Sequence, residues 1–261
     1  MPREFRGVIM PRLAVIGGTG LSKLVNLECV HKRVVKTPYG EPSSPITFGE
    51  LNGVDVVFMA RHGYGHNIPP HRINYRANMW ALKDVGVTDV VAIAAVGGIN
   101  RSMPPASLVL PDQLIDYTWG RTSTYFEDDL EQVTHIDFTT PYSVSLREKI
   151  KRAMYQTDIA VLDRAVYGCM QGPRLETAAE IKKLERDGCD LVGMTGMPEA
   201  ALARELELNY ACCALVVNWA AGLEGGEISM QDIEGFAEKG MIKVEHLLKV
   251  LVYEMKMAAD E

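Results

Sequence analysis

The sequence is short of the features that mark membrane, secreted and nucleic-acid-binding proteins. Its 261 residues contain no apolar run near the roughly 18 residues that a membrane span needs. Residues 1–12 carry three arginines but no apolar core of the signal-peptide kind. Lysine and arginine number 27 against 34 acidic residues, and a net charge of -7 opposes broad nucleic-acid affinity. We therefore expect no membrane or nucleic-acid partner, an N-terminal extension over 1–12 and one domain over 13–261.

Cysteine and histidine are too few and too unevenly spaced to indicate a disulfide framework or a metal site. The five cysteines form no C-x-x-C pair, and Cys212 and Cys213 lie in an apolar run as expected of buried thiols. His62, His66 and His71 share one loop, but two prolines prevent a helical register. A solvated polar loop is the alternative interpretation of these histidines. We expect no metal, no organic cofactor and a cytoplasmic location.

The first glycine-rich turn lacks the complete dinucleotide-binding fingerprint. An apolar strand, Leu13–Ile16, precedes Gly17-Gly18-Thr19-Gly20, and the N–H groups of such a turn can hold an anion. Lys23 stands where the third glycine belongs, and no clear acidic residue follows about 20 residues later. The turn therefore predicts an anion site, and a nicotinamide-dependent or nucleotide-binding protein is the alternative that it leaves open.

Apolar strands alternate with amphipathic helices along the chain, which predicts one α/β domain. Asn52-Gly53 joins two apolar runs as a hairpin, and the polar stretch 116–135 is interpreted as an excursion from the core. Capping boxes at Ser145-x-x-Glu148 and Thr177-x-x-Glu180 predict two helix starts. The other predicted elements are strands at 46–51, 54–60, 88–96, 109–110, 161–171, 190–193 and 210–217 and helices at 74–85 and 242–257.

Polar residues follow several of the predicted strands. Strand ends of open α/β sheets are where ligands bind. Arg61 and His62 can grip an oxyanion there. We predict that Met194 and Thr195 hold a sugar and a phosphate, and that Asn218 selects a base. A helix cap for Thr195 and a turn residue for Asn218 are the alternatives.

Seven segments together carry a resemblance to one family. They are Gly17-Gly18-Thr19-Gly20, Thr37-Pro38-Tyr39-Gly40, Arg61-His62-Gly63, Ala94–Gly98, Gly172-Pro173-Arg174, Met194-Thr195-x-x-Pro198-Glu199 and the Asn218 turn. The chain resembles the trimeric purine nucleoside phosphorylase and methylthioadenosine phosphorylase family from about Leu13 to Met257. The resemblance implies a single-domain, three-layer α/β sandwich around a mixed, partly closed sheet. It also implies a homotrimer with shared active sites, in which phosphate cleaves a nucleoside to a free base and a sugar 1-phosphate.

The resemblance assigns most of the candidate site residues. The phosphate site would comprise Thr19, Arg61, His62, Thr195 and the backbone N–H of Ala95. Met194 would contact the ribose, and His135 is similar to a residue that a neighbouring subunit lends to the sugar pocket. Asn218, Glu176 and His62 are the candidate catalytic residues, and phosphate is a co-substrate.

The residues of the predicted base pocket differ from those of the methylthioadenosine phosphorylase branch of the family. That branch carries two aspartates where this chain has Asn218 and Ala220, and a serine in place of Glu176. A 6-oxopurine offers a carbonyl acceptor and a ring N–H donor, which an amide and a carboxylate fit. We therefore predict that Glu176 and Asn218, with neighbouring Leu175, bind a 6-oxopurine. A first-turn acid that complements the helix dipole is the alternative for Glu176.

The residues predicted to contact the 5′ end of the substrate favour a methylthio group. Residues 224–239 contain no histidine to meet a 5′-hydroxyl, and Met230 and Ile233 offer apolar surface instead. Either could equally be helix core. The two ends together predict 5′-methylthioinosine as the substrate. A methylthioadenosine phosphorylase, a general 6-oxopurine nucleoside phosphorylase and a purine sensor without turnover are the alternatives.

Overall fold

A computed structural model describes residues 13–18, 28–127, 132–224 and 227–260 of the protein. The predicted extension 1–12 and Thr19 lie outside these residues. The described strands are β1 Leu13–Gly17, β2 Glu28–Arg33, β3 Ile46–Leu51, β4 Val54–Ala60, β5 Asp89–Gly98, β6 Leu108–Val109, β7 Gln113–Asp116, β8 Val166–Cys169, β9 Leu191–Gly193 and β10 Asn209–Trp219. The described helices are α1 Tyr75–Asp84, α2 Val144–Gln156, α3 Ala178–Arg186, α4 Glu199–Glu205 and α5 Met230–Asp260. None of these helices is long and apolar enough to cross a membrane.

The strands form one mixed sheet between two layers of helices. The strand order is β2-β3-β4-β1-β5-β9-β8-β7, and β10 pairs with β5 and β6. Side chains alternate between faces along each strand. Ala14 and Ile16 of β1 therefore join one core with residues of α1 and α4, while Leu13 and Val15 join a second core with residues of α2 and α5. This arrangement confirms the predicted three-layer α/β sandwich.

The central strand β5 has a gap along one edge. β10 pairs with β5 from Asp89 to Gly98, and so occupies the opposite edge completely. On the edge with the gap, β1 pairs with residues 89–92 and β9 pairs only with Gly97 and Gly98. Among the described strands, none pairs with residues 93–96 on that side. The ends of the strand order, β2 and β7, are not paired with each other among the described strands, so the sheet is open rather than partly closed.

Local signals predicted most elements, with a few errors. The hairpin through Asn52-Gly53 and the capping box of Thr177 and Glu180 are confirmed. The capping box predicted at Ser145 is wrong: Ser143 is the N-cap of α2, because its hydroxyl accepts the Leu146 N–H. α5 begins at Met230, well before residue 242, and strands β2 and β7 were not predicted.

Candidate functional site

The gap in the sheet opens beside an exposed alanine. Ala95 is the exposed residue of β5, whose other residues are all buried. Arg61, which follows β4, lies at the same edge: its backbone N–H donates to Gly17 O at 2.8 Å and its Nη1 donates to Ile93 O at 3.2 Å. The ends of β1 and β4 therefore meet the unpaired part of β5. This is the kind of strand end at which α/β proteins bind ligands.

Arg61 is paired with a buried carboxylate that sequence reasoning did not assign to the site. Its Nε and Nη2 donate to the two oxygens of Glu199 at 2.6 and 2.7 Å. The hydroxyl of Tyr210 on β10 also donates to Glu199, at 2.8 Å. Burial alone lowers the pKa of Arg61, but the charge and hydrogen bond of Glu199 outweigh it and hold this pKa above its ordinary value. The position of Glu199 in the first turn of α4 had indicated only a favourable contact with the helix dipole.

His62 is held as a neutral imidazole against the first glycine-rich turn. Nδ1 lies 2.8 Å from Ile68 O, and because a carbonyl can only accept, Nδ1 carries the proton. A Cβ on Gly18 would lie 2.8 Å from His62 Cδ2 and 3.3 Å from Nε2, so glycine is needed there. Burial, followed by the charges of Arg61 and His66, lowers the pKa of His62 to about 4 against the opposing bond to Ile68. Nε2 is therefore an acceptor near pH 7.

Met194 and Thr195 form the turn between β9 and α4. Thr195 is buried, and its backbone N–H donates to the hydroxyl of Tyr167 on β8 at 3.4 Å. The side chain of Met194 packs directly against Gly172, which has a φ of +62° and no room for a Cβ. The turn after β9 and the loop after β8 therefore fit against each other. This contact sets the position of Met194.

Asn218 lies at an irregularity in β10, where the register with β5 shifts between Val216 and Asn218. It is half-buried, and its Nδ2 donates to Trp219 O at 2.7 Å. A Cβ on Gly97 would lie 3.5 Å from this Nδ2, so the amide lies beside the end of β5. One amide hydrogen and the carbonyl oxygen of Asn218 have no recorded partner within the described part of the chain. These groups can meet a ligand.

Glu176 lies just before the N-cap of α3 and is half-buried. Burial raises its pKa, the charge of Glu180 adds to this effect, and its own backbone and Arg174 oppose it. The loop after β10 reaches the same helix start, because a Cβ on Gly222 would contact Ala178. The fold thus brings the elements that carry Glu176 and Asn218 together.

Other predicted site residues lie at the surface or in the core. His135 is exposed in an irregular stretch, and Leu175 is exposed beside Glu176. Met230 is exposed at the first residue of α5, whereas Ile233 packs against the second core. Ala220 is buried in a third, smaller core. Within the described ranges, no three His, Cys, Asp or Glu side chains come together as a metal ion would require.

Comparisons with known proteins agree with this architecture. Residues 12–252 match the family model described as the phosphorylase superfamily. A protein of Pseudomonas syringae pv. tomato named probable S-methyl-5'-thioinosine phosphorylase is 55% identical over 90% of this chain and 96% of its own. The 6-oxopurine nucleoside phosphorylase of Pyrococcus furiosus is 41% identical over 97% of this chain and 95% of its own. The solved structure of methylthioadenosine phosphorylase from Schistosoma mansoni with adenine superposes with a TM-score of 0.88, at 30% identity over 94% of this chain and 92% of that one.

The chain therefore belongs to the phosphorylase superfamily. It is an enzyme of the nucleoside phosphorylase type, a pentosyltransferase for which phosphate is a co-substrate.

Proposed function

We propose that this enzyme cleaves 5′-methylthioinosine with phosphate, giving hypoxanthine and 5-methylthioribose 1-phosphate. The observation that carries the proposal is the half-buried amide of Asn218 beside Gly97, on a strand whose following loop contacts the start of α3, next to Glu176. Relatives at more than half identity bear the corresponding name. The proposal assigns one end of the site to phosphate and the other to a 6-oxopurine.

Phosphate would lie at the gap in β5. Arg61 has five N–H groups, of which Glu199 and Ile93 occupy three, so two are left for phosphate oxygens. The exposed Ala95 backbone and the buried Thr195 would add neutral donors, as would Thr19 from the glycine-rich turn. This set binds an anion without a metal.

His62 would distinguish one phosphate oxygen from the others. Its Nδ1 proton is used on Ile68 O, so Nε2 can accept a hydrogen bond but cannot donate one at neutral pH. The natural partner of Nε2 is a P–O–H group. We therefore assign His62 to the protonated oxygen of hydrogen phosphate, which leaves an unprotonated oxygen free to attack the sugar.

The base end would stabilise the leaving purine. As the glycosidic bond breaks, the sugar becomes cationic at C1′ and negative charge develops on the base. The free amide hydrogen of Asn218 would donate to that developing charge, and the carboxylate of Glu176 would accept the ring N–H of the 6-oxopurine. A donor held in place before the reaction is worth about 10²–10³ in rate.

A homotrimer in the cytoplasm completes the proposal. His135 and Met230 are both exposed in the single chain, which fits a sugar pocket that a neighbouring subunit closes. Met230 would then line the 5′ end with apolar surface. Ile233 packs against the second core and would support Met230 from that side. Burial of a methylthio group there is worth about 0.8 kcal/mol per carbon.

Two other nucleoside preferences are the competing candidates. Solved structures at 30% identity are methylthioadenosine phosphorylases, and relatives near 41–43% identity are named 6-oxopurine nucleoside phosphorylases. Incubation with 5′-methylthioinosine, 5′-methylthioadenosine and inosine, with and without phosphate, distinguishes them by the base released. We expect phosphate-dependent release of hypoxanthine, fastest from 5′-methylthioinosine. Faster release of adenine would overturn the proposal.

Substitutions at Asn218 test the base assignment. Asn218→Ala should lower kcat for the oxopurine nucleoside by about 10²–10³, and Asn218→Asp should shift the preference towards the 6-aminopurine. Asn209→Ala, at the exposed start of the same strand, is the matched control and should keep the wild-type rate. Adding Ala220→Asp would bury a carboxylate in the third core, so the single Asp variant is the cleaner test. An unchanged rate in Asn218→Ala would remove Asn218 from the base site.

A further inference from the structure

We propose that Arg121 is a positioning residue. It fixes the turn after β9, which carries Met194 and Thr195, relative to the loop after β8, which leads to Glu176. Arg121 lies in the stretch after β7, which the sequence indicated as a polar excursion from the core. It is half-buried, and its guanidinium lies between the loop after β8 and the turn after β9. Neither the proposed chemistry nor the resemblance assigns it a role.

The guanidinium of Arg121 donates mainly to backbone carbonyls. Nη1 donates to Met194 O at 2.9 Å and to Met197 O at 2.5 Å. Nη2 donates to Gln171 O at 2.8 Å and to Met170 O at 3.3 Å. These four carbonyls belong to two separate segments of the chain, so one planar group joins both.

The two remaining contacts fix the orientation of the guanidinium plane. Nε donates to the side-chain oxygen of Gln171 at 3.1 Å, and Nη1 also lies 3.2 Å from the hydroxyl of Tyr75 on α1. The five N–H groups of a rigid fork reach all six acceptors when one Nη1 hydrogen is shared between two of them, whereas a lysine ammonium has three donors at a single point. Arginine is therefore the residue that the arrangement requires.

The two joined segments are those that carry the proposed substrate contacts. Met194 and Met197 enclose Thr195, so the Nη1 bonds fix both ends of the turn assigned to sugar and phosphate. Gln171 precedes Gly172, against which the Met194 side chain packs. Arg121 thus sets the distance between the turn after β9 and the loop that leads to Glu176. This role rests on the function proposed above.

Steady-state kinetics of variants at two arginines test the proposal. Arg147 is a matched control, since its guanidinium also donates to backbone carbonyls, those of Leu110, Pro111 and Asp163, but joins α2 to other segments. Arg121→Ala should lower kcat/KM for both phosphate and nucleoside by about 100-fold, the typical cost of a small displacement of reacting groups. In Arg147→Ala, kcat/KM should stay within about twofold of wild type, because the turn after β9 and the loop after β8 keep their geometry. Arg121→Lys should recover only part of the loss.

Amide hydrogen exchange gives a readout that does not depend on turnover. In the full-length protein without substrate, Arg121→Ala should speed exchange in peptides covering both 168–176 and 191–198. Arg147→Ala should leave these two segments at the wild-type rate. Equal kinetic losses in the two variants, or unchanged exchange in both segments of Arg121→Ala, would overturn the positioning role. If wild type turned over no nucleoside, the proposed function would fail while the exchange experiment still tested Arg121.

Discussion

The proposed phosphate end and the proposed base end of the site are built in different ways. At the phosphate end, Arg61 and Glu199 are 1% and 0% exposed and hold each other through two hydrogen bonds. At the proposed base end, Glu176 lies in the loop before α3 and Asn218 lies near the end of β10, and both are half-buried. Glu176 belongs to no recorded ion pair among the described residues. Relatives at 30% identity keep the fold while their names give a different purine. The comparison indicates that the proposed phosphate end is part of the core, whereas the proposed base end is half-buried at its edge.

The largest expected effect is at the buried pair of the phosphate end. Glu199→Ala leaves the guanidinium of Arg61 buried without its partner, which should lower the free energy of unfolding by about 3–5 kcal/mol. Lys249→Ala removes the partner of Glu245 on the surface of α5 and should cost only about 0.3–0.5 kcal/mol. Urea denaturation of both variants measures the difference.

Glu199→Gln refines this test, because it keeps the size of the side chain and one acceptor but removes the charge. We expect it to lie between wild type and Glu199→Ala in stability. A loss from Glu199→Ala no larger than that from Lys249→Ala would show that the two ends do not differ as described.

The next effect concerns the pH dependence of stability at His62. The pKa of His62 is about 4 in the folded protein, below the ordinary value of 6.5, so the unfolded chain takes up the proton first as pH falls. The stabilising contribution is therefore complete above pH 6.5 and is lost as the pH falls towards 4. Denaturation measured at several pH values between 4 and 6.5 should show that the free energy of unfolding depends more steeply on pH in wild type than in His62→Asn.

His246→Asn, which removes an exposed histidine of α5, is the control for this experiment and should follow the wild-type curve. Activity should have no break near pH 6.5 arising from His62, because the imidazole is already neutral. A pH dependence in His62→Asn equal to that of wild type would contradict the buried, neutral state.

The smallest effect is expected beside the base end. Thr177→Ala removes the N-cap of α3 next to Glu176 and should lower stability by about 1 kcal/mol. It should also raise KM for the nucleoside while leaving KM for phosphate unchanged, since none of the residues proposed to bind phosphate lies beside this cap. Ser143→Ala removes the equivalent cap of α2 and should cost similar stability without changing either KM. Equal changes in both KM values for Thr177→Ala would argue against two separable ends.

Local sequence signals predicted elements better than they predicted contacts. The Asn52-Gly53 hairpin and the Thr177 cap depend on a few adjacent residues, and both are confirmed. The cap of α2 was misplaced by two residues because Ser143 and Ser145 both fit the start of a helix. Strand β7 was missed because its four residues are exposed or half-buried and show no alternating apolar pattern, and it is a strand through its pairing with β8.

The sequence predicted which residues belong to the proposed site, but not which groups they contact. Arg61, His62 and Asn218 follow apolar strands, and strand ends are identifiable in a sequence. Their partners were not identifiable, because Glu199 is 138 residues from Arg61 and the carbonyls that Arg121 holds are 49 to 76 residues away. Such contacts involve backbone groups or ordinary charged residues that have no local signature.

The sequence by itself determined the class of fold, most of its strands and helices, and the side chains on which the proposed oxopurine site rests. These depend on side-chain chemistry and on periodicity over a few residues. The tertiary structure alone decided that Arg61 is neutralised by Glu199, that His62 is an acceptor, and that Arg121 joins two loops. The physical reason is that charge pairing, desolvation and backbone hydrogen bonds depend on distances between groups, and only the folded sheet sets those distances.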